Sequence, residues 1–300
     1  MYNLGLPVPP GFVITAYAFK HYIQISGLDK KIFGKLKKLN VEDNDQLQET
    51  AKWIQDQIVS TPMPEAIKEI VIESYDEMDV NGSKVEDLMK SGNGALVAVR
   101  SSATAEDQVD ASFAGQQASF MNVKGHKELI AHVLACWASL YTARAIYYRV
   151  KNNYPHEKVY IAVVIQKMIN SDAAGVMFSV NVVTNNTSEI LIEGAYGLGE
   201  AVVSGSITPD EFVLDKKTLD VKSKKIAKKT WMYVRDPKTF ENIKKVDVSK
   251  DLQEESCLKS SEIQKLAELA IKIEKHYGKP QDIEFAIENE RDFGCKCENG

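Results

Sequence analysis

The sequence predicts an α+β fold with antiparallel or mixed sheets, arranged as two lobes. Three features carry that prediction. Helical periodicity dominates the first part of the chain, apolar β-branched runs separated by turn residues dominate the middle, and one well-signalled helix followed by one alternating strand comes last. A doubly wound fold would alternate strand and helix regularly, and that alternation is missing. The 300 residues, 44% of them hydrophobic, suffice for a sizeable core. No flexible linker stands out, so the lobes are expected at roughly 1–165 and 166–300, meeting at a cleft.

The elements follow in order. In "LPVPPGF" (6–12) three prolines and a glycine enforce an extended turn. Thr15 is then expected to cap the helix "AYAFKHYIQIS", which Gly27 stops. Apolar residues at helical spacing mark 45–59 and 64–77 as scaffold helices. "ALVAVR" (95–100) reads as a strand whose alternation places Arg100 with Leu96 and Ala98. "KELIAHVLACWASLYTARAIYYRV" reads as one long helix with Ile130, Val133, Leu134, Trp137, Leu140 and Tyr141 on its buried stripe. "KVYIAVVIQKM" is too apolar for an exposed strand, and "GVMFSV", "EILIEG" and "EFVLDK" follow as further strands. In "SSEIQKLAELAIKIEKHYG" a capping box of Ser261 and Gln264 is expected at the start and Gly278 at the stop. "DIEFAIE" alternates strictly, with Ile283, Phe285 and Ile287 inward and Asp282, Glu284 and Glu288 outward.

Composition excludes several functions. The net charge of −5 is spread along the chain, and "KSKKIAKK" (222–229) is its only dense basic run. A general nucleic-acid surface is therefore not expected, although one basic strand could meet phosphates. No run approaches the roughly 18 apolar residues that span a bilayer, and the first residues lack a signal-peptide layout, so a soluble, cytoplasmic protein is expected. Cys136, Cys257, Cys295 and Cys297 are too few and irregular for a disulfide framework, and the C-x-C pair has no partner pair at a zinc spacing. None of the five histidines has a Ser or Cys partner that the sequence identifies, which argues against histidine-activated nucleophilic catalysis.

The candidate chemistry is anion binding. In "VAVRSSATAED" (97–107) a strand ends in Arg100 and breaks into small hydroxyl residues. The following loop, Ala111 to Gln117, sets Gly115 between Ala114 and Gln116. Small side chains let backbone N–H groups approach an anion, and the guanidinium adds a permanent charge with forked donors. On composition alone the same loop also reads as an ordinary connection. "EGAYGLGEAVVSG" (193–205) is a second glycine-rich stretch that matches neither the lysine-containing P-loop nor the dinucleotide fingerprint, so a tight turn explains it equally well. The acids of "DIEFAIE" offer oxygen ligands to a hard cation, or simply the wet face of an edge strand. "VVIQKM" ends a buried strand in Gln166 and Lys167, where backbone groups could meet an adenine edge or the chain merely reaches water.

Taken in order, "NLGLPVPPGFVIT", "VAVRSSATAED", "ASFAGQQ", "CWASLYTARAIYYR", "VVIQKMINSDAAGVMFSVN", "EILIEGAYGLGEAVVSGSITPDEF" and "PQDIEFAIE" resemble the N-terminal nucleotide-binding domain of phosphoenolpyruvate synthases (pyruvate, water dikinases). The resemblance covers nearly the whole chain. It implies an ATP-grasp-like fold that binds ATP with Mg²⁺ and phosphorylates a histidine on a separate domain, from which a barrel domain passes the phosphoryl group to pyruvate. It implies that Arg100 holds the phosphates and that the loop with Gly115 and Gln116 closes over them. It further implies Gln166, Lys167 and Met168 on the adenine side, Glu193 on the ribose side, and Glu284 at magnesium.

The family's glycine-glycine-lysine motif and its Q-x-R-P sequence fall outside residues 1–300, as do the phosphohistidine and pyruvate-binding domains. A monomeric fragment with weak or no turnover by itself is therefore expected. Val182 stands where the family usually has proline, which is expected to loosen one turn. A rifampin phosphotransferase-like enzyme shares a very similar ATP domain, and a non-catalytic ATP-sensing module is the alternative from another class.

Overall fold

In the computed structural model, residues 5–82, 94–103, 107–108, 111–112, 118–236 and 243–288 are described. The chain divides into two compact units, Pro9–Met168 and a second made of Met1–Val8 with Ile169–Gly300. Both carry helices and antiparallel sheets, the predicted α+β class.

The first unit is built on strands β1 (Gly11–Ile14), β2 (Val97–Ala103), β5 (Ser119–Val123) and β6 (Ile161–Lys167), in the order β1-β6-β2-β5. A short pair, β3 (Asp107–Gln108) and β4 (Ala111–Ser112), lies between β2 and β5 in the chain. β6 runs on through residue 167, past the boundary expected at 165/166. Its alternation is clean: Ile161, Val163 and Ile165 are buried with Val97 and Val99 of β2 against the helices. The stripe predicted from Ile130 to Tyr141 does form core, Ile130 only partly buried, with Trp137 stacked on Tyr22 at 4.9 Å between ring centroids.

Three local expectations are corrected. The long helix is two, His126–Ser139 and Ala143–Lys151. Thr142 accepts a hydrogen bond from the Ala145 N–H at 3.2 Å and so starts a new helix, while the carbonyl of Leu140 turns to the buried Arg149 guanidinium at 2.7 Å. That apolar stretch is long enough to cross a membrane, but it is broken here and more than half buried in the unit. Thr15 takes an extended N-cap backbone without a side-chain bond. The last helix, Ser260–Tyr277, starts at Lys259, whose N–H donates to Glu262 at 2.7 Å, so the cap lies upstream of the Ser261 and Gln264 pair. Gly278 ends it in the left-handed region, as predicted.

The second unit carries β7 (Ala173–Phe178), β8 (Glu189–Tyr196), β9 (Asp210–Asp215), β10 (Val221–Lys225) and β13 (Asp282–Ile287), in the order β10-β9-β8-β7-β13. One face packs Ile190, Ile192, Phe212, Leu214 and Met177 against Ile263, Leu266 and Ala270 of the helix. Ile283, Phe285 and Ile287 join that side, which leaves Asp282 and Glu284 on the other. A hairpin of β11 (Trp231–Arg235) and β12 (Ile243–Asp247) adds Trp231 and Tyr233 over Ala195 and Ala201.

The basic run is not a free cationic surface. Lys222 bridges Glu189 and Asp215, Lys225 pairs with Glu211, and Lys228 pairs with Glu254. Lys229 is fully buried against Asp210, 2.5 Å away. Four of the five lysines therefore pair with the unit's own carboxylates, while Lys224 lies over the Phe212 ring, and a phosphate would have to displace those pairs.

Two predictions follow from burial. Removing one partner of a buried pair strands the other charge, so Lys229→Met should cost about 3–5 kcal/mol in urea unfolding. In the first unit, burial and then the Arg149 charge push His156 down to about 4; Arg149 donates to its Nδ1 at 3.0 Å. The unfolded ring takes its proton near 6.5, so this contribution is whole above that pH and is lost as pH falls towards 4. Because the ring is partly open to solvent, a loss of about 2 kcal/mol is expected. Urea titrations at stepped pH should show a smaller acid-side slope in His156→Gln.

Candidate functional site

Arg100 lies on β2 opposite Val164 of β6 and Ser119 of β5, and it is exposed. Gln166, two residues beyond Val164, lies opposite Ala98, so the pleat sends Arg100 and Gln166 to the same face. Their diagonal places them about 7–8 Å apart along the backbone. That face is the one away from the buried helices, and it also carries the exposed Val13 and Met121. Its partner residues there, Gly11, Ala98 and Ala162, are small.

The two serines after Arg100 divide the work. Ser101 is buried, and its hydroxyl accepts the Ala118 N–H at 2.9 Å, which ties β2 to the entry of β5. Ser102 returns to the Arg100 side of the pleat, opposite Ala162. Ser102 and Ala162 are thus the small pair beside Arg100 on this face.

Lys167 lies opposite Val97, which puts it on the other side of the pleat from Gln166. Its N–H donates to the Pro10 carbonyl and that of Met168 to the Leu96 carbonyl, each at 2.8 Å. A base edge would therefore meet the side chains or carbonyl oxygens of these residues, since both N–H groups are spent within the unit. Gly115 and Gln116 lie outside the described residues, as do Cys295 and Cys297.

In the second unit the register settles a different group. Val176 of β7 pairs with Glu193 on β8 and with Glu284 on β13, and Glu193 pairs with Glu211 on β9, which pairs with Lys225 on β10. One row across the sheet thus reads Lys225, Glu211, Glu193, Val176, Glu284, all on the face away from helix Ser260–Tyr277. Glu193 and Glu284 stand two strands apart, about 10 Å at the backbone. They present two separate carboxylates on one surface.

Gly175 permits this arrangement. A Cβ there would lie 1.9 Å from the Glu193 carbonyl oxygen, so β7 and β8 approach too closely for any side chain. Gly197 is the required glycine of the "GLGE" turn, with φ +78° and a Cβ position 2.2 Å from the Tyr233 carbonyl. Val182 stands in a turn that Asn181 organises. The buried Asn181 accepts the N–H groups of Val183 and Thr184 through Oδ1, and its Nδ2 donates to Glu189 at 2.8 Å.

Burial, and then the Glu211 charge, raises the Glu193 carboxyl above its ordinary range. Among the described residues no three His, Cys, Asp or Glu side chains form a metal cluster. Glu284 is exposed, with Asp282 on the same face of β13. That fits Mg²⁺, which keeps most of its waters and takes one or two protein carboxylates together with phosphate oxygens. Glu211 and Lys225 were not singled out from sequence, because only the strand register brings them beside Glu193. Gly175→Ala should push β8 away and cost about 1–3 kcal/mol, read as a lowered melting temperature.

Residues 1–293 match the family described as pyruvate phosphate dikinase, AMP/ATP-binding domain. The chain is 46% identical over 288 residues to a probable phosphoenolpyruvate synthase of Methanocaldococcus jannaschii, covering 96% of this chain and 23% of that protein. It is 44% identical to a probable phosphoenolpyruvate synthase of Staphylothermus marinus, over 98% of this chain and 37% of the relative. Against the phosphoenolpyruvate synthase of Pyrococcus furiosus it is 41% identical, over 97% and 39%. The chain therefore spans between about a quarter and two fifths of these relatives.

Proposed function

Because the chain belongs to the pyruvate phosphate dikinase AMP/ATP-binding domain family, we propose that it is the ATP-binding portion of a cytoplasmic phosphoenolpyruvate synthase. In that role it binds Mg-ATP and transfers phosphoryl to a histidine on a separate domain, which delivers it towards pyruvate. The observation that carries the reading is the pairing of that family match with an exposed arginine on a strand flanked by small residues.

Arg100 takes the phosphate oxygens with its forked donors, and the fixed strand holds the fork in place. Gln166, on the same face, serves the base side, with Lys167 and Met168 at the strand end. The resemblance assigns Gly115 and Gln116 to the phosphates as well. Glu193 accepts hydrogen bonds from the ribose hydroxyls, and Glu284 holds the metal. Mg²⁺, when bound, neutralises phosphate charge during transfer. The residues themselves position and exclude water, which is where most of the catalysis in phosphoryl transfer resides.

Isothermal titration with Mg-ATP tests this directly. Wild type should bind, and Arg100→Ala should weaken binding about tenfold or more, as expected for a lost charge-assisted phosphate contact. Equal heats from both proteins would contradict the assignment of Arg100, and no heat from either would contradict the nucleotide reading.

A further inference from the structure

Glu193 and Glu211 are directly opposed on adjacent strands and on the same face, with Cβ atoms about 4.5–5.5 Å apart. Like charges so placed destabilise a sheet, and a neutral residue at position 211 would remove the cost. Two features hold Glu211 there. Lys225, its cross-strand partner on β10, draws the carboxylate away from Glu193 with a 2.6 Å ion pair. Beneath it, the preceding Asp210 is fully buried and accepts hydrogen bonds from Lys229 Nζ, the Ala227 N–H and the Cys257 N–H, at 2.5, 3.0 and 2.8 Å. The backbone that presents Glu211 is thus anchored by three donors from two segments, the stretch after β10 and the approach to helix Ser260–Tyr277.

We propose that Glu211, held by Lys225, is a positioning residue that directs the Glu193 carboxylate towards the nucleotide. The inference rests on the reading of Glu193 as a ribose contact. Facing Glu193 on this side are Val176 on β7 and Glu211 on β9, with Lys225 on β10 and Glu284 on β13 one strand further. Val176 separates it from Glu284, so Glu211 is the carboxylate that acts on it from the adjacent strand. Repulsion across β8 and β9 turns the Glu193 carboxylate away from Glu211. Lys225 limits that repulsion, and at 72% side-chain exposure it does so as a screened surface charge.

The test has two independent readouts on the whole chain. Carbon-13 carboxyl titration, with Glu193 assigned through Glu193→Gln, follows the charge coupling without nucleotide. Glu211→Gln should lower the Glu193 midpoint, and Lys225→Met should raise it, each by about half a pH unit, a roughly threefold change in proton affinity. Mg-ATP titration from pH 5 to 8 then reads the consequence. Glu211→Gln should shift the affinity profile to lower pH, Lys225→Met to higher pH, and the plateau above pH 7 should weaken about threefold in Glu211→Gln. An unmoved Glu193 midpoint in both variants overturns the coupling, whatever happens to ATP. Moved midpoints with a wild-type affinity profile overturn the positioning role. If wild type binds no ATP, the ribose reading fails and takes the positioning role with it, while the carboxyl titration still reports the coupling separately.

Discussion

The carboxylate of Asp210 is completely removed from water, and the second unit is organised around that fact. A buried carboxylate is tolerated only when its lone pairs are filled, and here an ammonium and two backbone N–H groups fill them. Those donors come from the segment after β10 and from the approach to helix Ser260–Tyr277, while Asp210 itself opens β9 opposite Gly194. Lys229 also lies 5.5 Å from the centre of the Tyr196 ring, and its N–H donates to Gln253. A one-residue slip of β9 would bury Glu211 in place of Asp210 and unpair all of these groups. The ion pair therefore specifies register, and register is what lines up Glu193, Glu211 and Glu284.

Both units solve the same problem in the same way. A sheet buries one face under helices and keeps polar, ligand-competent residues on the other, at positions that strand geometry holds rigidly. In the first unit Arg100 and Gln166 stand on that face, among the small residues Gly11, Ala98 and Ala162. In the second, carboxylates stand there, spaced by Val176 and brought close by Gly175.

Much of the fold was legible because it rests on local periodicity. The alternation of "DIEFAIE" and the apolar run of "KVYIAVVIQKM" translated directly into β13 and β6. What failed was decided by particular hydrogen bonds. The break after Ser139 depends on Thr142 capping Ala145 and on Arg149 claiming the Leu140 carbonyl nine residues back, and hydrophobic spacing carries no trace of either. The lysine run misled for the same reason: its partners Glu189, Glu211, Asp210 and Glu254 are remote in sequence or hidden in the register. Of the candidate site, Arg100, Glu193 and Glu284 were visible through motifs, whereas the opposition of Glu193 and Glu211 exists only across strands.

The proposed function assigns nucleotide contacts to strands in each unit. Hydrogen–deuterium exchange of the whole chain, with and without Mg-ATP, tests it most directly because each strand reports separately. The account predicts added protection in 97–103 and 164–168 of the first unit and in 191–196 and 282–287 of the second, at the same nucleotide concentration. Protection confined to one unit, or none in either at concentrations that saturate binding heat, would contradict it.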